Sequence, residues 1–422
     1  MSAPAPALTG PAPTPFDPAP APASAPDPSG GPAASGQGGG RLGLEEILRR
    51  VRELAPRISA RAREIEDARR LPRDLVEELR RCGVFRATMP AEWGGPELTS
   101  MQQITLIEEI SAADAATGWC VMIGMDSGIY AGHLAPDAAA ELYPRLDLVT
   151  AGWVAPAGVA HETPGGYLVD GHWRFGSGCT HADVIAGGCT VHRDGRPLLD
   201  DAGRPVTRIV LAPAASYTIE DTWHTTGLAG TGSCDYTARR LFVPAEHTLV
   251  LGDAHRDAPM YRRSDTLVRK MPGVPLGLAR AAIDHVHHLA GSRTEAAGMP
   301  WRTSRHVQAV LAECEMQLSA ARTAVYASVE ALWDCLAAGA QPTRRQRADA
   351  ALARYHAFHS ARTIAAALYD LVGADATLRS RTPLDRAVRD SITACQHVVG
   401  QRRILEWSGQ LLLGDEPAAA FV

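Results

Sequence analysis

The spacing of apolar residues changes twice along this chain, and that double change limits the folds open to it. In the first segment Leu44, Ile47, Leu48, Val51 and Leu54 recur at i, i+3, i+4, i+7 and i+10, the stripe of a helix that buries one face. Pro72 opens "PRDLVEELRRCG", where an early proline and the closing Gly83 fit helix start and stop preferences. "TSMQQITLIEEISAADAATGWCVMIGMDSGIYAGHL" reads as two further helices, the second apolar nearly all round and therefore buried. From about residue 149 the runs shorten to "LVTAGWVA", "GGYLVDGHWRFGSG", "DVIAGGCTV", "TRIVLAP", "YTIEDTW" and "YTARRLFVP", separated by Gly, Pro and Asp turns. Six to eight strands at this spacing predict a small antiparallel barrel or sandwich. From Leu267 long helical segments return, at about 274–291, 303–337, 343–373 and 383–412, with the lengths of a four-helix bundle.

The expected architecture is therefore α+β and multidomain: an α-helical domain over 41–148, an antiparallel β domain over 149–255, and a C-terminal four-helix bundle over 256–422. Residues 1–40 are Pro, Ala, Gly and Ser with almost no large apolar side chain. They are expected to stay disordered, because they cannot bury enough surface to offset the entropy of ordering. They resemble no secretory signal, which needs a charged start and an apolar run.

Composition excludes several function classes. A net charge of −5 gives no basic field for nucleic acid. No apolar run reaches the roughly 18 residues that span a bilayer. The eight cysteines (82, 120, 179, 189, 234, 314, 335 and 395) form no CxxC pair, as expected of free thiols in a reducing cytoplasm. The chain is expected to be a soluble cytoplasmic protein. Lys270 is its only lysine among many arginines, a bias that reads as a GC-rich bacterial gene.

Several motifs invite chemistry and fail on context. "GLAGTGS" (227–233) leads into a strand, whereas a dinucleotide fingerprint leads into a helix. Its amides, with the hydroxyls of Thr231 and Ser233, still offer a polar lining. "IDHVHHLAG" places Asp284 and His288 on one helical face without a third ligand, so no metal site is expected. No GxSxG, HExxH or P-loop is present.

Two stretches are more informative. Arg386, Asp390, Thr393 and His397 fall at i, i+4, i+7 and i+11, one helical stripe that is either a solvated polar face or part of a site. In "DGHWRFGSGCTHADV" (170–184), strict alternation puts Trp173, Phe175 and Ser177 on one strand face. An aromatic ring beside a small hydroxyl can pack a planar heterocycle and bond its polar edge, and it can equally be an ordinary core strand.

The α–β–α order and four motifs in sequence resemble the acyl-CoA dehydrogenase superfamily over nearly all of 41–414. "MPAEWGG" (89–95) is similar to its "P-E-x-x-G-G" turn, and "HWRFGSGCTHADV" to its flavin strand "W-I-T-N-G-x-x-A-D". "DTWHTTGLAGTGSCDYTARRLFVP" resembles "G-x-R-G-T/S-x-S-x-x-x-F-x-x-V-P", and "LYDLVGADATLRSRTPLDRAVRD" resembles "G-G-x-G…P-L-E-R-x-x-R-D". The resemblance implies that Phe175 packs the flavin, that Ser177 meets its N5/O4 edge, that Trp153 lines it, and that Arg293 lies near the cofactor phosphates.

A dehydrogenase of this family needs a Glu to take the α-proton. One family position reads "ACQHVVGQ" here, without an acid. The other falls near Leu267, with Asp265 two residues away as a displaced alternative. The His397 segment instead resembles the reduced-flavin-dependent two-component monooxygenases, a branch that includes oxygenase components for 4-hydroxyphenylacetate and dibenzothiophene and amine and sugar N-oxygenases. "DTWHTTGLAGTGS" is close to that branch's "D-T-W-x-x-x-G-L-R-G-T-G-S", with Ala229 in place of Arg. This implies an enzyme that takes FMNH2 or FADH2 from a separate NAD(P)H:flavin reductase and reacts it with O2 to a C4a-hydroperoxyflavin. That species would hydroxylate or N-oxygenate a small aromatic or amine in secondary metabolism or catabolism. Ser177 and His397 would be the functional pair, with Asp126 or His397 as base. The superfamily also implies a homotetramer paired through its bundle helices. A desaturase using Asp265, or an inactive binding protein of the same fold, are the competing readings.

Overall fold

The structure is a computed structural model that describes residues 42–294, 298–379, 381–419 and 421–422. The Pro/Ala/Gly-rich segment 1–40 lies outside the described residues. Among the described residues seven α-helices come first: α1 (Leu44–Ala60), α2 (Ala62–Ala68), α3 (Arg73–Cys82), α4 (Ser100–Ala113), α5 (Ala115–Gly124), α6 (Ser127–His133) and α7 (Pro136–Leu142). The apolar stripe of α1 is buried at Ile47, Leu48 and Val51. The stretch expected to form two helices forms three. Asp114 breaks α4 from α5 because its side chain accepts the Thr117 N–H at 2.8 Å, a cap that starts a new helix.

Eight strands follow: β1 (Thr150–Thr163), β2 (Gly166–Gly176), β3 (Val184–Arg193), β4 (Arg196–Pro197), β5 (Thr207–Pro213), β6 (Thr218–Glu220), β7 (Cys234–Pro244) and β8 (Thr248–Leu249). They form one sheet in the order β6-β7-β2-β1-β3-β5-β8, with β4 on β3. One pairing departs from the antiparallel expectation: β1 and β3 run parallel, so the sheet is mixed. The hairpin partner β2 takes one edge of β1 and returns the chain to the end where β1 began. A strand laid on the other edge of β1 must then run the same way as β1. The crossing segment, residues 177–183, carries Ser177.

The sheet's core is built on Trp173, fully buried and stacked on Tyr236 with ring centroids 5.4 Å apart. Its indole N–H donates to the Gly188 carbonyl at 2.8 Å. The ring lies where side chains of Gly158 and Gly187 would be, since a Cβ on either would come within 2.4 or 2.8 Å of it.

The last segment holds α8 (Thr266–Arg269), α9 (Gly273–Ser292), α10 (Arg305–Ala337), α11 (Arg344–Val372), α12 (Leu384–Ala394) and α13 (Arg403–Leu413). One continuous apolar cluster joins α1, α4 and α5 to α9, α10 and α11, so the first and last helical segments share a core. The expected single helix over 383–412 is interrupted between α12 and α13. Gln396 and His397 N–H groups close tight turns onto the Thr393 and Ala394 carbonyls, and His397 is extended at φ −63°, ψ 146°. Two β-branched valines and Gly400 follow, weak continuers of a helix. Gly400 fits because a Cβ there would sit 2.9 Å from the Cys395 Cα, and His359 fixes the break by donating to the Gly400 carbonyl at 2.9 Å. No described helix is long and apolar enough to cross a membrane.

Candidate functional site

A cavity of about 260 Å³ opens between the sheet, α5 and the break before α13. Its sheet side carries Trp153, Phe175 and Trp223, and its helical side carries Trp119, Thr393 and His397. Phe175 reaches it because β2 does not alternate to its end. Its pairing with β7 slips between Trp173 and Gly176, and Phe175 takes φ +61°. The bulge turns Phe175 away from the core face that holds Trp173, against the strict alternation expected from sequence. Its ring is 43% exposed, tilted against Trp153 at 6.1 Å and edge-on to Trp223 at 6.2 Å. The Arg174 guanidinium lies 4.8 Å over it.

Hydroxyls line the floor. The Trp119 indole N–H donates to Ser177 Oγ at 3.1 Å, Ser177 Oγ lies 2.7 Å from Ser233 Oγ, and Ser233 Oγ lies 2.7 Å from Thr231 Oγ1. Thr231 donates to the Leu228 carbonyl at 2.7 Å, which also accepts the Trp223 indole N–H at 3.2 Å. Leu228, at φ +51°, is held by its own N–H donating to Asp390 Oδ1 at 2.6 Å. Burial pushes the Asp390 pKa up to about 7, against the Leu228 N–H that favours its charged form.

His397 faces this floor from the helix break, its ring edge-on to Trp119 at 5.6 Å. Burial, with the Arg354 charge nearby, lowers its pKa to about 4, so it is neutral at pH 7. Its Nδ1 accepts the Val399 N–H at 3.4 Å, which leaves the ring proton on Nε2. A neutral N–H donor therefore lines the cavity.

The structure brings together Trp153, Phe175, Ser177, Thr231, Ser233 and His397. It does not bring Asp126, Asp265 or Arg293 to the cavity. Asp126 is buried against Lys270, and burial raises its pKa to about 6 while the lysine partly offsets the rise. Burial also pushes Asp265 up, but the guanidiniums of Arg269 and Arg263 outweigh it and hold the carboxyl below its usual range. Arg293 ion-pairs with Asp375 at 3.3 Å and stacks on Trp301 at 4.4 Å. Of the expected stripe, Thr393 and His397 line this cavity, whereas Arg386 and Asp390 line a separate one beside Asp114.

Among the described residues no carboxylate lines this cavity, so it holds no base of the kind a dehydrogenase needs. Sequence reasoning missed Trp119, Trp223 and Leu228. A tryptophan in an otherwise apolar buried helix was the available signal for Trp119, because a buried indole N–H needs an acceptor.

The family model "Acyl-CoA dehydrogenase, N-terminal domain" matches residues 44–141, and "Acyl-CoA dehydrogenase, C-terminal domain" matches 272–402. The chain is 30% identical to indole-3-acetate monooxygenase of Acinetobacter baumannii over 384 residues, covering 90% of this chain and 95% of that protein. It is 31% identical to the flavin-dependent monooxygenase oxygenase subunit HsaA of Rhodococcus jostii over 362 residues, covering 82% and 92%. The solved structure of XiaF from a Streptomyces species, in complex with FADH2 and glycerol, superposes with a TM-score of 0.80 at 25% identity over 89% of this chain and 97% of that one. The chain belongs to the acyl-CoA dehydrogenase superfamily, in its branch of flavin-dependent monooxygenase oxygenase components.

Proposed function

We propose that the chain is the oxygenase component of a two-component system that hydroxylates a small uncharged aromatic compound, with reduced FMN or FAD supplied by a separate NAD(P)H:flavin reductase. The cavity residues fit the flavin ring. Phe175, Trp153 and Trp223 offer apolar faces, and Ser177, Ser233 and Thr231 offer a polar edge. Reduced flavin supplies the two electrons with which O2 is split, one oxygen atom going to the substrate and the other leaving as water.

The protein's part is to bind, orient and keep water out. Ser177 holds the flavin edge, and His397 donates Nε2–H to the oxygen that reacts or to the substrate. The aromatic walls lower the local dielectric, which strengthens both bonds. His397 carries too low a pKa to act as a general acid at neutral pH. Asp126, tied to Lys270, is not a candidate base. A protonated amine would find no counter-charge on the lining, which favours a neutral ring as substrate. The relative named as a resorcinol hydroxylase acts, by its name, on an uncharged aromatic ring, and the indole-3-acetate monooxygenases likewise carry an aromatic ring in their substrate's name. We place the enzyme in the cytoplasm beside its reductase. We also propose a homotetramer, supported by exposed Met316 on α10 and Leu412 and Leu413 on α13.

The observation that carries this reading is Ser177 and His397 facing one apolar cavity without a charged side chain. The test supplies the protein with reduced FMN or FAD under 18O2 and a panel of phenols and indoles. A product carrying one 18O atom is expected. Flavin reoxidation with no labelled product across the panel overturns the proposal.

A further inference from the structure

The floor of the cavity is a hydrogen-bond chain with both ends chemically fixed. At one end the Trp119 indole N–H can only donate; at the other the Leu228 carbonyl can only accept. Between them lie three hydroxyls, each with one hydrogen. Thr231 gives its hydrogen to Leu228, so the 2.7 Å contact between Thr231 and Ser233 must use the hydrogen of Ser233. The 2.7 Å contact between Ser233 and Ser177 must then use the hydrogen of Ser177. Every hydroxyl points one way, from Trp119 toward Leu228. The end of the chain is itself held, because Leu228 N–H is bonded to buried Asp390.

Ser177 thus has no hydrogen left to give and one lone pair left to receive. We infer that Thr231 and Ser233 are positioning residues that make Ser177 an acceptor toward bound flavin, so that the site selects the reduced ring. The inference rests on the proposed function, which places the flavin edge at Ser177. Reduced flavin carries a hydrogen on N5 and donates it, whereas oxidised flavin presents a lone pair there. Two lone pairs facing each other leave both groups unsatisfied, a loss on the order of tenfold in affinity. Selection of this kind lets the oxygenase take up freshly reduced flavin and release it once oxidised.

The test measures dissociation constants of oxidised and anaerobically reduced FMN and FAD for the wild-type chain and three variants. The wild type is expected to bind the reduced form at least tenfold more tightly. Ser233→Ala frees the hydrogen of Ser177 to donate, and Thr231→Val lets Ser233 turn back and donate to Ser177. Both are expected to cut the reduced-to-oxidised preference about tenfold, chiefly by improving oxidised binding. Thr231→Ser keeps the hydroxyl and is expected to keep the preference. A preference unchanged in Ser233→Ala and Thr231→Val, or lost equally in Thr231→Ser, overturns the inference. A wild type that binds neither form of either flavin instead removes the proposed function beneath it.

Discussion

Lys270, the only lysine in the chain, is fully buried and bonded through Nζ to the carboxylate of Asp126, 144 residues earlier. The ammonium also donates to the Leu267 carbonyl at 3.1 Å. The pair ties the start of α6 to the segment joining α8 and α9. A buried pair is costly to break from one side, because the remaining charge has no water to replace its partner. Lys270→Met is expected to lower unfolding free energy by about 3–5 kcal/mol. Adding Asp126→Asn to it should recover much of that loss. Urea denaturation of the single and double variants checks this, and a double variant no more stable than Lys270→Met would sink the pairing account.

Ser177→Ala removes the proposed acceptor for the flavin edge while leaving the aromatic walls in place. Reduced flavin and O2 should still be consumed, with the oxygen escaping as hydrogen peroxide in place of product. A loss of about tenfold in product per flavin oxidised is expected from one missing hydrogen bond. Peroxide and product are assayed in the same reaction, and an unchanged ratio counts against a role for Ser177.

His397, on the cavity, and Asp390, which holds the Leu228 N–H behind it, titrate in opposite senses. His397 has its folded pKa lowered from 6.5 to about 4, so the unfolded chain binds its proton first as pH falls. Its neutral burial therefore costs nothing above pH 6.5 and destabilises the fold progressively between about 6.5 and 4, by about 2 kcal/mol with partial exposure allowed for. Asp390 has its folded pKa raised from 3.8 to about 7. Its contribution is full below pH 3.8 and is lost as pH rises through 7, by up to about 4 kcal/mol. His397→Gln is expected to gain on the wild type toward pH 4, and Asp390→Asn toward pH 7. Parallel stability curves for either variant and the wild type would contradict the assignment for that residue.

The slot for Trp173 gives a packing test. A methyl at Gly187 would stand 2.8 Å from the indole and one at Gly158 would stand 2.4 Å from it. Because the ring is stacked on Tyr236 and bonded to Gly188, it has little room to retreat. Gly158→Ala and Gly187→Ala are each expected to cost about 1–3 kcal/mol through overpacking. Thermal unfolding measures it, with exposed Gly165→Ala excluded as a control because its φ of +79° adds backbone strain.

The fold was legible where periodicity is strong. The Ile47–Val51 stripe, the short strands after 149 and the long runs of α10 and α11 follow from spacing alone, because burial of one face dictates them. The candidate site was legible in its residue types, since Phe175, Ser177 and His397 do line one cavity, more than in its geometry. Alternation could not foresee that Phe175 takes a left-handed backbone and parts from Trp173, since that slip is set by pairing with β7. Helical periodicity carried through 395–402, although Gly400 and two valines marked the weak point. The partners of Asp126 and Asp265 come from 144 residues away and from the next helical turn. Neither sealing is visible in local pattern, so both carboxylates looked available.

The break between α12 and α13 gives the cavity two walls of different character. Phe175 and Ser177 belong to a strand and a crossing whose register is locked by neighbours on both sides. His397, Gln396 and Gln401 belong to a short joint between two rods, anchored by Gly400 and His359. Gln396 and Gln401 line the cavity from exposed positions on this joint, whereas Val399 and Gly400 are buried in it. The enzyme thus has a fixed jaw and a partly replaceable one, and changes in substrate preference are expected to concentrate at Gln396, Val398 and Gln401, which line the cavity, while His397 and Gly400 stay.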